Sequence, residues 1–131
     1  MPTFEFNKLV RSKLLDEYKH LGQEVEIKEL TKEEHKRQLV KKVLEEVLEI
    51  DFDKPEDIQG EIADVRQALD DLAAICNINE ADIKITQQNK FDKKGGFSEC
   101  VFVKTIKLAK GDKWVRYYRQ TPDKYLEKPE K

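Results

Sequence analysis

Hydrophobic positions recur at helical spacing through most of the chain. Leu9, Val10, Leu14, Leu15 and Tyr18 share one face of a segment from Asn7 to Leu21, and Gly22 stands where a helix end takes a left-handed residue. Between Gln23 and Leu30, Val25 and Ile27 alternate with charged neighbours, which fits a short strand or an extended linker. Thr31 followed three residues later by Glu34 is a capping box, and it predicts a long helix from about Lys32 to Ile50. Asp51 to Asp57 reads as a turn, with Pro55 in the first turn of a third helix that is capped by Asp53 and runs to about Cys76. Asn77 to Asn79 breaks the pattern. A fourth helix then starts near Asn79, carries Ala81 and Asp82 in its first turn, and runs to about Phe91 before Gly95 and Gly96.

Beyond Gly96 the pattern changes. Phe97 to Leu108 and Lys113 to Gln120 are rich in β-branched and aromatic residues, with Gly111 in the turn between them, and this predicts a β-hairpin. Thr121 to Lys131 holds two prolines and reads as a loose tail. The fold expected is therefore mainly α, an antiparallel bundle of about four helices with a C-terminal β-hairpin extension. The 131 residues suffice for one domain.

The polar positions of two helices carry the candidate chemistry. On a wheel of about 100° per residue, Leu39, Val40, Val43, Leu44, Val47, Leu48 and Ile50 fill one side of the second helix. Glu46 and Glu49 lie on the other, with Glu46 near Leu39, while Glu45 flanks the opposite border near Leu48. On the third helix the apolar stripe is Val65, Ala68, Leu69, Leu72, Ile75 and Cys76; Glu61 falls within it and Asp64 on its edge. A carboxylate on a core-facing stripe is costly unless it is paired or binds a metal. Two acids at i, i+3 on each of two facing helices is the inward arrangement with which helical bundles hold metal. Oxygen donors without a neighbouring His or Cys favour Mg²⁺ or Mn²⁺ over Zn²⁺. The competing reading is a set of buried salt bridges to Lys41, Lys42 or Arg66.

Charge sharpens this picture. The formal net charge is only −2, which gives no global pull towards a nucleic acid polymer or a membrane. Residues 1–89 nevertheless hold 13 Lys/Arg against 21 Asp/Glu, and residues 90–131 hold 12 against 6. An acidic body with a basic tail suggests an anionic ligand gripped from the tail side, tail-to-body contact between subunits, or a solvated Lys-rich hairpin. Lys90, Lys93 and Lys94 beside Gly95 and Gly96 suit phosphate contact or ordinary helix-end chemistry. Lys8, Arg11 and Lys13 reach a phosphate or are solvated. His20 and His35 read as surface residues, and Trp114, Tyr117 and Tyr118 as hairpin packing or a subunit interface. Cys76 and Cys100, far apart and without a CxxC frame, read as small core residues in a reducing compartment. No apolar segment is long enough to act as a signal or to span a bilayer, so a cytoplasmic location is expected.

Glu45-Glu46-x-x-Glu49, followed after eleven residues by Glu61-x-x-Asp64, resembles the EExxE…ExxD signature of the all-α nucleoside triphosphate pyrophosphohydrolases. That superfamily holds MazG-like proteins, phosphoribosyl-ATP pyrophosphohydrolases and dimeric dUTPases. Asn7-Lys8-Leu9-Val10-Arg11-x-Lys13 resembles the NKLVRDK opening of the phosphoribosyl-ATP pyrophosphohydrolase-like, MazG-related branch, and Lys94-Gly95-Gly96-Phe97 its RGGF ending. The resemblance covers residues 7–103, which sets a helical domain at 1–103 and a hairpin and tail extension at 104–131. Ser12 stands in place of the usual Asp and Lys94 in place of the usual Arg, and the His that often follows the ExADLxYH segment of histidine-pathway enzymes is missing.

The resemblance implies hydrolysis between the α- and β-phosphates of a nucleotide, releasing a monophosphate and pyrophosphate. It implies Glu46, Glu49, Glu61 and Asp64 as ligands of Mg²⁺ (or Mn²⁺), and Glu45, with Glu46, as the catalytic carboxylates. Lys90, Lys94, Arg11 and Lys13 become candidate phosphate contacts. A homodimer, or a tetramer built from it, is expected both from the thin core and from the resemblance. The alternative is a helical homo-oligomer that binds nucleotide or a partner without turnover.

Overall fold

A computed structural model describes residues 1–130. They form five α-helices: α1 Leu14–His20, α2 Lys32–Leu48, α3 Pro55–Ile75, α4 Glu80–Lys94 and α5 Trp114–Arg119. The chain divides into two compact units, Met1–Lys94 and Gly95–Lys131. None of the helices described is long and apolar enough to cross a membrane.

Local chemistry sets most helix ends. At the start of α2 the Thr31 hydroxyl accepts from the Glu34 N–H and the Glu34 carboxylate accepts from the Thr31 N–H, both at 3.2 Å, so the capping box is complete. A hydrogen bond from the Lys28 ammonium and one from the Thr31 N–H hold the Glu34 carboxyl below its ordinary range. Two helices end in the same way. Gly22 (φ 75°) closes α1, donating to the Lys19 carbonyl at 3.0 Å while Gln23 donates to Tyr18 at 2.9 Å. Asn77 (φ 57°) closes α3, donating to Ala74 at 3.1 Å while Ile78 donates to Ala73 at 2.9 Å. Both are Schellman motifs, which need a left-handed residue that Gly or Asn supplies. Asn79 caps α4 by accepting from the Asp82 N–H at 3.1 Å.

Two helix starts differ from expectation. α1 begins at Leu14 and not at Asn7, because Asn7 is itself left-handed (φ 46°) and interrupts the first turn. α3 begins at Pro55 with Lys54 in the cap position and no side-chain cap; the Asp53 N–H instead donates to Asp51 Oδ1 at 2.9 Å in the preceding turn. Pro55 at the first helical position needs no N–H partner. Residues 23–30 carry no regular element, so the linker and not the strand is realised.

α2 and α3 fold back on each other as an αα-hairpin, and this is the helix pair that packs extensively. Leu39, Val43 and Glu46 of α2 and Glu61, Asp64, Val65, Ala68 and Leu72 of α3 are all buried or half-buried. Leu39 and Ala68 are the only buried apolar residues among those described. The other apolar positions of α2, Val40, Leu44, Val47 and Leu48, lie exposed, as do Ile62 and Leu69 of α3. α4 is exposed along its whole length.

The expected C-terminal β-hairpin is absent: no strand exists among the described residues, and the fold is all-α with five helices. The second half of the supposed hairpin is α5. Trp114, Tyr117 and Tyr118 stand at i, i+3 and i+4, which is helical spacing, and the Asp112 carboxylate accepts the Trp114 N–H at 2.8 Å to start the turn. Their rings gather with Tyr125, at 5.4 Å for Trp114–Tyr117 and 4.7 Å for Tyr118–Tyr125. The Arg119 guanidinium binds both Glu127 oxygens, at 2.6 and 3.1 Å, and ties the following segment to the helix. With its intended partner helical, Phe97 to Leu108 has no strand to pair with and carries no regular element. Cys76 and Cys100, expected in the core, are both exposed.

The caps generate a stability test. Thr31→Ala should cost about 1 kcal/mol in urea denaturation. Asn77→Gly should be neutral, whereas Asn77→Val should cost about 1–2 kcal/mol, because a β-branched residue resists the left-handed conformation.

Candidate metal centre

The acidic cluster forms where α2 ends and α3 begins. Glu46 lies in the last turn of α2 and Glu61 and Asp64 in the second and third turns of α3, so the short turn between the helices brings them level. One carboxylate oxygen from each of Glu46, Glu61 and Asp64 lies within 4.8 Å of the other two. Glu46 is buried, with 8% of its surface accessible, and Glu61 and Asp64 are half-buried.

Such a cluster is electrostatically expensive, and two cations relieve it at different members. Lys42, one turn before Glu46, donates to Glu45 at 3.1 Å and pairs with Glu46 at 3.3 Å. Burial pushes the Lys42 ammonium down, but Glu45 and Glu46 together outweigh it and raise it above its ordinary value. Arg11, from the segment before α1, places Nη2 2.5 Å from Asp64 Oδ1. Among the described residues no cation reaches Glu61: its Oε2 is buried and has no hydrogen-bond partner. Burial pushes the Glu46 carboxyl up; Lys42 opposes this, Glu49 and Asp64 add to it, and the net shift is upward.

A divalent cation fits this donor set. Three hard oxygen donors converge, one oxygen of Glu61 is buried and unpartnered, and an uncompensated buried carboxylate is costly without a counter-charge. The salt-bridge alternative is realised in part, through Lys42; Lys41 and Arg66 make no ion pair among the described residues.

The other candidate residues are placed as follows. Glu49 caps the C-terminus of α2, is exposed, and acts on Glu46 by repulsion from outside the close trio. Glu45 turns to Lys42. Lys90 lines an open groove on α4 with Ile78, Asp82, Ile83, Thr86 and Gln87, and no acid of the trio lines it. Lys94 ends α4, and neither it, Lys90 nor Lys13 makes an ion pair with the trio among the described residues. The Arg11–Asp64 pair spans 53 residues of sequence and has no signature in spacing.

The raised Glu46 gives a pH test. A folded-state value above the unfolded one means that ionised Glu46 opposes folding above its folded pKa, and that this cost is relieved as pH falls through it. In chelator, Glu46→Gln should therefore raise the melting temperature at pH 7, with Lys42 keeping Glu45 as its partner. The gain should fade as pH drops through the carboxylate range, where protonated Glu46 resembles Gln. A lower melting temperature at pH 7 would show that the Lys42–Glu46 attraction dominates.

Compared with protein-family models, with curated proteins and with solved structures, the chain matches none.

Proposed function

We propose that the chain is a Mg²⁺-dependent nucleotide pyrophosphohydrolase. It cleaves a nucleoside triphosphate or related nucleotide between the α- and β-phosphates, giving a monophosphate and pyrophosphate. The observation that carries this reading is the convergence of Glu46, Glu61 and Asp64 within 4.8 Å, with the Glu61 Oε2 atom buried and unpartnered. The all-oxygen donor set supports Mg²⁺, with Mn²⁺ as its substitute. The EExxE…ExxD resemblance supports a nucleotide as substrate and the α–β bond as the target.

Glu46, Glu61 and Asp64 hold the cation in this reading, with Glu49 completing the acidic field at the helix end. The cation supplies charge neutralisation at the phosphate oxygens. Glu45, released from Lys42, orients the attacking water and accepts its proton as the water oxygen bonds to phosphorus and the bridging P–O bond breaks. Arg11 and Lys13 on the N-terminal segment, and Lys90 and Lys94 on α4, provide the positive charge that holds the phosphate chain. A second copy of the chain covers the exposed stripe of Val40, Leu44 and Val47, which α3 of the same copy leaves bare.

A second reading has one observation in its favour. The pairs Lys42–Glu46 and Arg11–Asp64 also suit a structural helical oligomer held by ion pairs.

Incubation with a nucleotide panel and Mg²⁺ should release pyrophosphate from at least one nucleotide; none released at micromolar enzyme would end the catalytic reading. Glu61→Ala should lower turnover by at least about 100-fold, the upper range for loss of a group that merely supports a metal ligand. Mg²⁺ or Mn²⁺ at 100 times its dissociation constant should stabilise the wild type by about 2.7 kcal/mol but leave Glu61→Ala unmoved. A wild-type melting temperature indifferent to both ions would favour the ion-paired oligomer. Sedimentation should give a dimer or tetramer, and Val40→Glu with Leu44→Glu should shift it to monomer.

A further inference from the structure

Arg11 reaches the acidic trio from a segment outside the helix pair. Its guanidinium stands 2.5 Å from Asp64 Oδ1, yet 57% of the Arg11 side chain and 37% of the Asp64 side chain remain exposed. An ion pair so open to water is weak and replaceable. Lys42 differs, since it sits on α2 itself, one turn from Glu46, and only 21% of its side chain is exposed. The segment carrying Arg11 precedes α1 and is tied to its start through the backbone, the Leu14 N–H donating to the Arg11 carbonyl at 3.0 Å, which leaves the guanidinium free to change partner. It is anchored a little upstream, where Phe6 meets Tyr18 edge-on at 6.3 Å. Arg11 can therefore swing away from Asp64 without unseating the segment.

We infer that Arg11 is a resident counter-cation of the acidic trio, that a divalent cation displaces it, and that displacement frees its guanidinium for phosphate. The inference rests on the metal reading given above and deepens it. Asp64 is common to both partners. Two further positive charges placed among Glu46, Glu61 and Asp64 remove the attraction that holds Arg11 and repel the guanidinium at short range. The released group is a planar fork suited to bidentate phosphate binding. Cation and phosphate binding then help each other: the cation releases the phosphate ligand, and phosphate keeps Arg11 from competing for Asp64. By linkage this coupling acts equally in both directions. Without the cation, Arg11 stays on Asp64 and the phosphate site lacks its guanidinium.

The test compares wild type, Arg11→Gln and Lys19→Gln, the last a charge control on α1, using Mn²⁺ alone as the probe. Calorimetry should show Mn²⁺ binding tightened roughly two- to fivefold by Arg11→Gln, the range expected for removing a competitor held by an exposed ion pair, and unchanged by Lys19→Gln. In wild type, Mn²⁺ should also accelerate trypsin cleavage after Arg11, because the freed side chain becomes available to the protease. Unchanged or weaker Mn²⁺ affinity in Arg11→Gln, or cleavage that Mn²⁺ fails to accelerate, would overturn the displacement. No Mn²⁺ binding by any of the three proteins would overturn the metal reading and this inference together. The expected Mn²⁺ results without turnover of any nucleotide would leave the displacement standing and remove only the catalytic reading.

Discussion

Three carboxylates on the seam between α2 and α3 set the terms for the rest of the first unit. Glu46, Glu61 and Asp64 would be solvated on most helical hairpins; here they occupy positions that apolar residues usually hold. Burying like charges together is unfavourable, and the upward shift of the Glu46 carboxyl records that cost. The seam is correspondingly poor in apolar contact, with Leu39 and Ala68 the only buried apolar residues among those described. α2 is turned so that its acidic edge faces inward and much of its apolar stripe faces out. A hairpin arranged for packing alone would have the reverse orientation.

The cations around the trio divide the labour. Lys42 stands on the same helix at i, i+3 and i, i+4 spacing and screens Glu45 and Glu46 together. Arg11 is held by a single contact across a long sequence separation and guards Asp64. Glu61 is left with neither. This asymmetry favours the metal reading proposed above over a structural ion-pair network, since a network built for stability satisfies its buried oxygens first.

Much of this was legible in the sequence, and for identifiable reasons. The capping box at Thr31, the glycine after α1 and the proline opening α3 are local signals, and local chemistry sets those ends. Glu61 and Asp64 announced themselves by interrupting an apolar stripe. Glu46 was legible only through them, because its own helix offers an equally good solvated reading. The C-terminal segment misled because Trp, Tyr and Val favour strands as single residues, whereas the spacing of Trp114, Tyr117 and Tyr118 carries the helical period. Composition and period disagreed there, and period prevailed once Asp112 supplied a start. The left-handed turn at Asn7 and the reach of Arg11 to Asp64 leave no mark in any pattern of spacing; the first is a backbone choice and the second depends on tertiary structure.

The small aromatic assembly around α5 has a consequence for how the chain acquires its shape. Its ring contacts run from Trp114 to Tyr125, and its ion pair closes between Arg119 and Glu127. Every one of these contacts joins residues close in sequence, so the loops to be closed are short and their entropic cost is small. Structures of such low contact order assemble fast and need no distant segment as a template. This segment thus carries the instructions for its own local order.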